Sequence, residues 1–187
     1  MNTESVGRHR ASMGSRVIHS TGRRFHASPH LKGSGVTDLQ PTATELRDMI
    51  GGVYSIAAWY EDDGAELHPP LAHGRYVLVD GQVVSSLFKV NSDGSKTVQA
   101  LYGRYEMEDG AFIYGYDFGT LTTTRPDGAT EISEVGAGPL MQFVATREAG
   151  SIRLWNDDRN FGFRVAPGVM EFFDGDRLRR IWRRATA

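Results

Sequence analysis

Apolar and polar positions alternate in short runs from Gly51 onward, and most runs end at a glycine-marked reversal. Alternation with period two marks a strand with one buried face. The runs are Val53 to Tyr60, Arg75 to Val79, Gln82 to Val90, Val98 to Met107, Ala111 to Asp117 and Leu121 to Thr124. They continue with Ala129 to Val135, Leu140 to Thr146, Ile152 to Trp155, Phe161 to Val165, Val169 to Phe173 and Arg177 to Arg183. Asp80-Gly81 is a two-residue hairpin signal. Asn91-Ser92-Asp93-Gly94, Glu108-Asp109-Gly110, Pro126-Asp127-Gly128, Glu148-Ala149-Gly150, Pro167-Gly168 and Asp174-Gly175 reverse the chain elsewhere. Successive hairpins without a helical crossover predict up-and-down order. That order favours closure, because closure removes exposed edges. The expected fold is therefore all-β, an antiparallel up-and-down β-barrel.

A short helix is expected ahead of the barrel. Thr42 or Thr44 can cap it, Thr42-x-x-Glu45 has the form of a capping box, and Gly51-Gly52 ends it. Residues 1–41 lack hydrophobic periodicity and are rich in Ser, Gly, Arg and His. They carry too little apolar surface to offset the entropy of ordering, so they read as a disordered arm before a barrel domain at 42–187. Two other readings of the arm compete. It is Arg- and Ser-rich and poor in acids, like a mitochondrial transit peptide, and Arg23-Arg24-Phe25-His26-Ala27-Ser28 resembles a matrix-protease cleavage site. Its basic residues would also suit an acidic partner.

Composition narrows the function classes. The net charge of -2 and pI near 6.3 give no electrostatic reason to expect nucleic acid or an anionic membrane. The absence of cysteine excludes disulfides, thiolate catalysis and Cys-based metal sites. No run is long and apolar enough to span a bilayer as a helix, and no signal-peptide core appears near Met1. The expected location is cytoplasmic, or mitochondrial if residues 1–32 are a transit peptide. Gly-x-Gly-x-x-Gly at a strand–helix junction, a Walker loop, Gly-x-Ser-x-Gly and His-Glu-x-x-His are all missing, so no cofactor and no metal are expected.

Several segments resemble the bacterial lipocalin-like domain family. These are Gly52-Val53-Tyr54, where Tyr54 stands in the opening aromatic slot, then His68-Pro69, Gly74-Arg75-Tyr76 and Asp80 to Ser85. Tyr102-Gly103-Arg104-Tyr105-Glu106 and the run Gly175 to Arg184 add to the likeness, which covers most of Met49 to Arg184. The resemblance implies a lipocalin-like β-barrel with an internal cavity that binds a small hydrophobic molecule or acts on one. It also implies that a basic residue on the last strand, Arg180 or Arg183, covers the Tyr54 ring at the closed end.

Alternation from Tyr54 would turn Ile56, Ala58 and Tyr60 inward, and would put Tyr105 on one inner face and Phe112, Tyr114 and Tyr116 on another. The candidate ligand-binding residues are Tyr54, Tyr60, Tyr76, Tyr105, Tyr114, Tyr116, Phe143 and Trp155, an apolar lining with a few polar tips. The same aromatics would equally serve as core.

The candidate catalytic residues are His73, Asp117, Glu131 and Glu134. His73 and His68 bracket Pro69-Pro70 in a loop between early strands, where an imidazole can act as acid or base. An inward carboxylate in a dry cavity would have a raised pKa. Arg104, Arg153 and Arg164 would be inward partners for a substrate carboxylate or enolate. Against each stands the plainer reading of a charge facing solvent on a sheet wet on one side. The five arginines of Arg177 to Arg184 read as an outward, edge-protecting alternation rather than a phosphate site.

Three function classes follow. The first is binding of a small hydrophobic molecule. The second is cofactor-independent isomerase, cyclase or lyase chemistry on such a molecule. The third is a filled barrel that pairs through its surface, a homodimer included.

Overall fold

Each glycine-marked reversal becomes a hairpin, and the hairpins close on themselves. The computed structural model describes residues 40–185. The arm's disorder and transit-peptide readings fall outside them. Helix α1 (Ala43–Ile50) leads into β1 (Gly52–Tyr60), β2 (Glu66–Leu67), β3 (Ala72–Val79), β4 (Gln82–Val90), β5 (Lys96–Glu108) and β6 (Ala111–Thr124). There follow β7 (Thr130–Val135), β8 (Met141–Glu148), β9 (Ser151–Asn156), β10 (Phe161–Ala166), β11 (Val169–Asp174) and β12 (Arg177–Arg184). Neighbours pair antiparallel in chain order, and β12 returns to pair with β1, which closes a barrel of ten strands. This is the expected all-β meander, compatible with a lipocalin-like fold. The two other strands leave the wall: β2 is a short addition to β1, and β7 pairs only with the far half of β6. No helix among the described residues is long and apolar enough to cross a membrane.

The turn chemistry explains the register. Asp80 and Gly81 both take positive φ, 51° and 77°, as a primed two-residue hairpin requires. Two expectations are corrected here. Leu121 to Thr124 is not a separate strand, because β6 runs unbroken from Ala111 to Thr124. A bulge takes the place of the expected break: Tyr102 pairs with Phe118 and Gly103 with Tyr116, leaving Asp117 as the extra residue. Pro41, assigned from sequence to the arm, is buried, and its carbonyl accepts from Gly110 N at 2.8 Å.

Helix α1 plugs one end. Thr42 Oγ1 accepts from Glu45 N, and the Glu45 carboxylate accepts from Thr42 N at 2.7 Å, so the capping box forms. The helix buries Leu46 and Ile50 in the barrel end. Gly52, at φ 141°, lets the chain swing from the helix into β1. Above the plug lies an aromatic layer. Phe112, Tyr114, Phe143 and Phe163 contact one another with centroids 5.3 to 6.4 Å apart. Such pairs add about 0.5–1.5 kcal/mol each beyond area burial.

Candidate functional site

Between this layer and the open end lies a cavity of about 230 Å³. Its two walls differ in character. Strands β3 to β6 supply Tyr76, Ser85, Gln99, Tyr114 and Tyr116, with Leu101 the apolar exception. Strands β8, β10 and β11 supply Met141, Phe161, Phe163 and Phe172. Arg180 and Trp182 on β12 complete the lining. Phe161, 38% exposed, marks where the cavity meets solvent. Wider volumes of about 670 and 510 Å³ flank α1, but they are surface grooves lined partly by charged residues.

The inward faces follow from pleat and bulges together. Trp182 is buried, so its period-two neighbours Arg180 and Arg184 also face in. In β1 the register shifts between Ile56 and Ala58, so Trp59 pairs with Arg180. That extra residue reverses the parity expected from Tyr54. Trp59 therefore packs against the core, while the Tyr60 hydroxyl donates to the Glu66 carboxylate at the rim, 2.9 Å away.

Arg180 is the one charged group in the lining. Its guanidinium lies 4.1 Å from the centroid of Trp59 and 5.2 Å from that of Phe172. No acid among the described residues pairs with it. Its Nε is buried and has no hydrogen-bond partner. The hydroxyls of Tyr76, Tyr114 and Tyr116 reach one another, and that of Tyr116 also reaches Ser85, whereas Arg180 Nε has nothing to donate to. A buried donor left in this way costs about 1–3 kcal/mol. Gln99 Nε2 donates to Ser85 Oγ at 3.2 Å. Burial pushes the pKa of all three tyrosines up, so their phenols stay protonated. Burial also lowers that of Arg180, though an arginine keeps its proton in a protein.

Of the expected ligand-binding residues, Tyr76, Tyr114 and Tyr116 line this cavity. Tyr54, Tyr105 and Phe143 are buried elsewhere in the core. Tyr60 stands at the rim, and Trp155 packs outside against Phe173, 6.2 Å between centroids. The four candidate acid–base residues do not converge. His73 is exposed and stacks on Phe88 at 4.7 Å. Asp117, the bulge residue, pairs with Arg104 at 2.9 Å on the outer surface. Glu131 and Glu134 are exposed on β7, outside the barrel wall.

The arginines also sort differently from expectation. Arg104, Arg153 and Arg164 are not in the cavity but pair with Asp117, Glu148 and Glu171. The residue over Tyr54 is neither Arg180 nor Arg183 but Arg184, 5.5 Å from the ring centroid. The terminal cluster is only partly outward: Arg177 and Arg179 bind Asp62, Arg183 is exposed, and Arg180 and Arg184 face in. Arg180 is the cavity-lining charge that an outward reading of the arginine run misses. Counting back two positions from Trp182, the only tryptophan in the arginine run, finds it.

No group of three or more metal-ligating side chains occurs among the described residues. No protein-family model matches the chain, and neither a curated protein nor a solved structure matches it.

Proposed function

We propose that the barrel binds a small hydrophobic molecule in the cavity above its aromatic layer. One observation carries this reading: about 230 Å³ walled on one side by Met141, Phe163 and Phe172 and on the other by tyrosine, serine and glutamine tips. Apolar lining supplies affinity, and a few placed polar groups supply orientation. A dry cavity of roughly 150 Å³ accepts benzene, so this one suits a ligand of one or two rings. The reading agrees with what the lipocalin-like resemblance implies.

Isomerisation, cyclisation or elimination in the same cavity would need a proton carrier at the ligand. The ionisable groups of the lining are Arg180 and three phenols whose protons are held tightly, which favours binding over catalysis.

Native mass spectrometry of the protein purified from its own host tests the proposal. A retained small molecule is expected, and Leu101→Trp, which puts bulk into the cavity, is expected to lose it while keeping the circular dichroism of a β-barrel. No retained mass, together with no response of tryptophan emission to added one- and two-ring aromatics, would count against binding.

A further inference from the structure

We propose that, granted the cavity is a binding site, its ligand is a monoanionic aromatic acid whose carboxylate is held by Arg180 and the neighbouring tyrosine hydroxyls. The rings of such an acid would sit against Phe163, Phe172 and Trp182.

Arg180 carries the argument. A guanidinium facing a cavity needs compensation, since an unpaired charge in an apolar setting is costly. The rings of Trp59 and Phe172 supply part of it, through their negative faces. They also hold the guanidinium in place. What is missing is an acceptor. Arg180 Nε is buried without a partner, and Arg180 shares the cavity lining with Tyr76, Tyr114 and Tyr116. A planar carboxylate matches the fork of an arginine and leaves a lone pair for a phenol.

Charge balance selects a monoanion. The lining contains one cation and no acid. A carboxylate neutralises it, whereas a phosphate dianion would bring surplus negative charge into a poorly solvated space. The cations nearby are already paired: Arg179 with Asp62 at 2.7 Å, and Lys89, 5.2 Å from the Trp59 ring, with Glu61 at 2.8 Å. Tyr76, Tyr114 and Tyr116 remain neutral donors because burial raises their pKa values, so they add hydrogen bonds without repulsion.

The test compares 2-naphthoate with methyl 2-naphthoate, which has the same rings and carbonyl but no charge. Affinities are read by isothermal titration and by tryptophan emission, to which Trp182 and Trp59 contribute from beside the cavity. In the unaltered protein the acid is expected to bind about tenfold tighter than the ester or better. Arg180→Met is expected to lose about that factor for the acid while leaving the ester nearly unchanged, and Arg180→Lys, which keeps charge without the fork, to fall between. Should Arg180→Met fail to fold, the acid–ester comparison in the unaltered protein still decides. An ester that binds as tightly as the acid overturns the anionic ligand and leaves the hydrophobic reading standing. Binding of neither compound sinks the binding reading, and the aromatic acid with it.

Discussion

The guanidinium of Arg184 lies 5.5 Å from the ring centroid of Tyr54, and its Nη2 is 3.2 Å from the Tyr54 hydroxyl. Both groups serve the same helix end. Arg184 Nη2 approaches the carbonyls of Asp48, Met49 and Gly51, and the Tyr54 hydroxyl donates to Ile50 O at 2.9 Å. The last carbonyls of a helix have no partners within it and carry the negative end of its dipole, so a cation is favoured there. The first strand and the last thus meet over α1 and lock the closed end.

Arg184→Met is therefore expected to destabilise the protein by about 2 kcal/mol, and Tyr54→Phe by about 1 kcal/mol. The two losses should not add, since the side chains share a target. Denaturant unfolding of both single variants and the double variant checks this. Additive losses would show that the two act independently.

At the β5–β6 bulge the strands approach too closely for any side chain. A Cβ on Gly103 would lie 1.9 Å from Gly115 O and 2.6 Å from Tyr116 Cα. Gly103→Ala is expected to cost about 3 kcal/mol or more, because backbone must move on both strands. It should also shift Tyr116, and so weaken any ligand bound in the cavity. Thermal unfolding indistinguishable from the parent would refute the close approach.

Alkali should destabilise the barrel through its cavity tyrosines. Tyr76, Tyr114 and Tyr116 have folded pKa values above the usual 10, chiefly from burial. In the unfolded chain they lose protons first as pH rises past about 10. Stability from these groups is thus intact below that pH and is lost above it. Phenolate absorbance followed with circular dichroism should show their share of the signal appearing only as the barrel unfolds. Smooth ionisation of every tyrosine in a folded barrel would contradict it.

Acid acts at the opposite end. The hydrogen bond from Arg147, with those from Thr42, holds the Glu45 pKa at about 2, well below the usual 4.5. The folded value is the lower one, so the contribution of Glu45 to the helix cap is present above about 4.5 and is lost as pH falls toward 2. Carboxyl chemical shifts should give that low midpoint, and Arg147→Met should raise it. A midpoint near 4.5 in the parent would remove the cap's acid sensitivity.

Much of the wall was readable from the chain because its signals are local. Asp80-Gly81, Glu108-Asp109-Gly110 and Pro167-Gly168 reverse the backbone through their own φ preferences, whatever surrounds them. The capping box at Thr42 and Glu45 is equally local. Period two puts Tyr114 and Tyr116 on one face, as found, because no bulge separates them.

Local signals along the chain suffice for an antiparallel meander with a helix ahead of it and tyrosines on its inner face. Closure of the barrel sets the rest: which way side chains point beyond each bulge, and which charges end up indoors. One extra residue near Ala57 exchanges Tyr60 for Trp59, and another at Asp117 turns Phe118, which period two from Tyr116 would place inside, to the exposed outer side. Bulges have no composition of their own; they arise where neighbouring strands must twist to close the barrel. Arg180 faces the cavity for the same reason: β12 must pair with β1 and β11 at once, and that closure aligns it with Trp59 and Phe172.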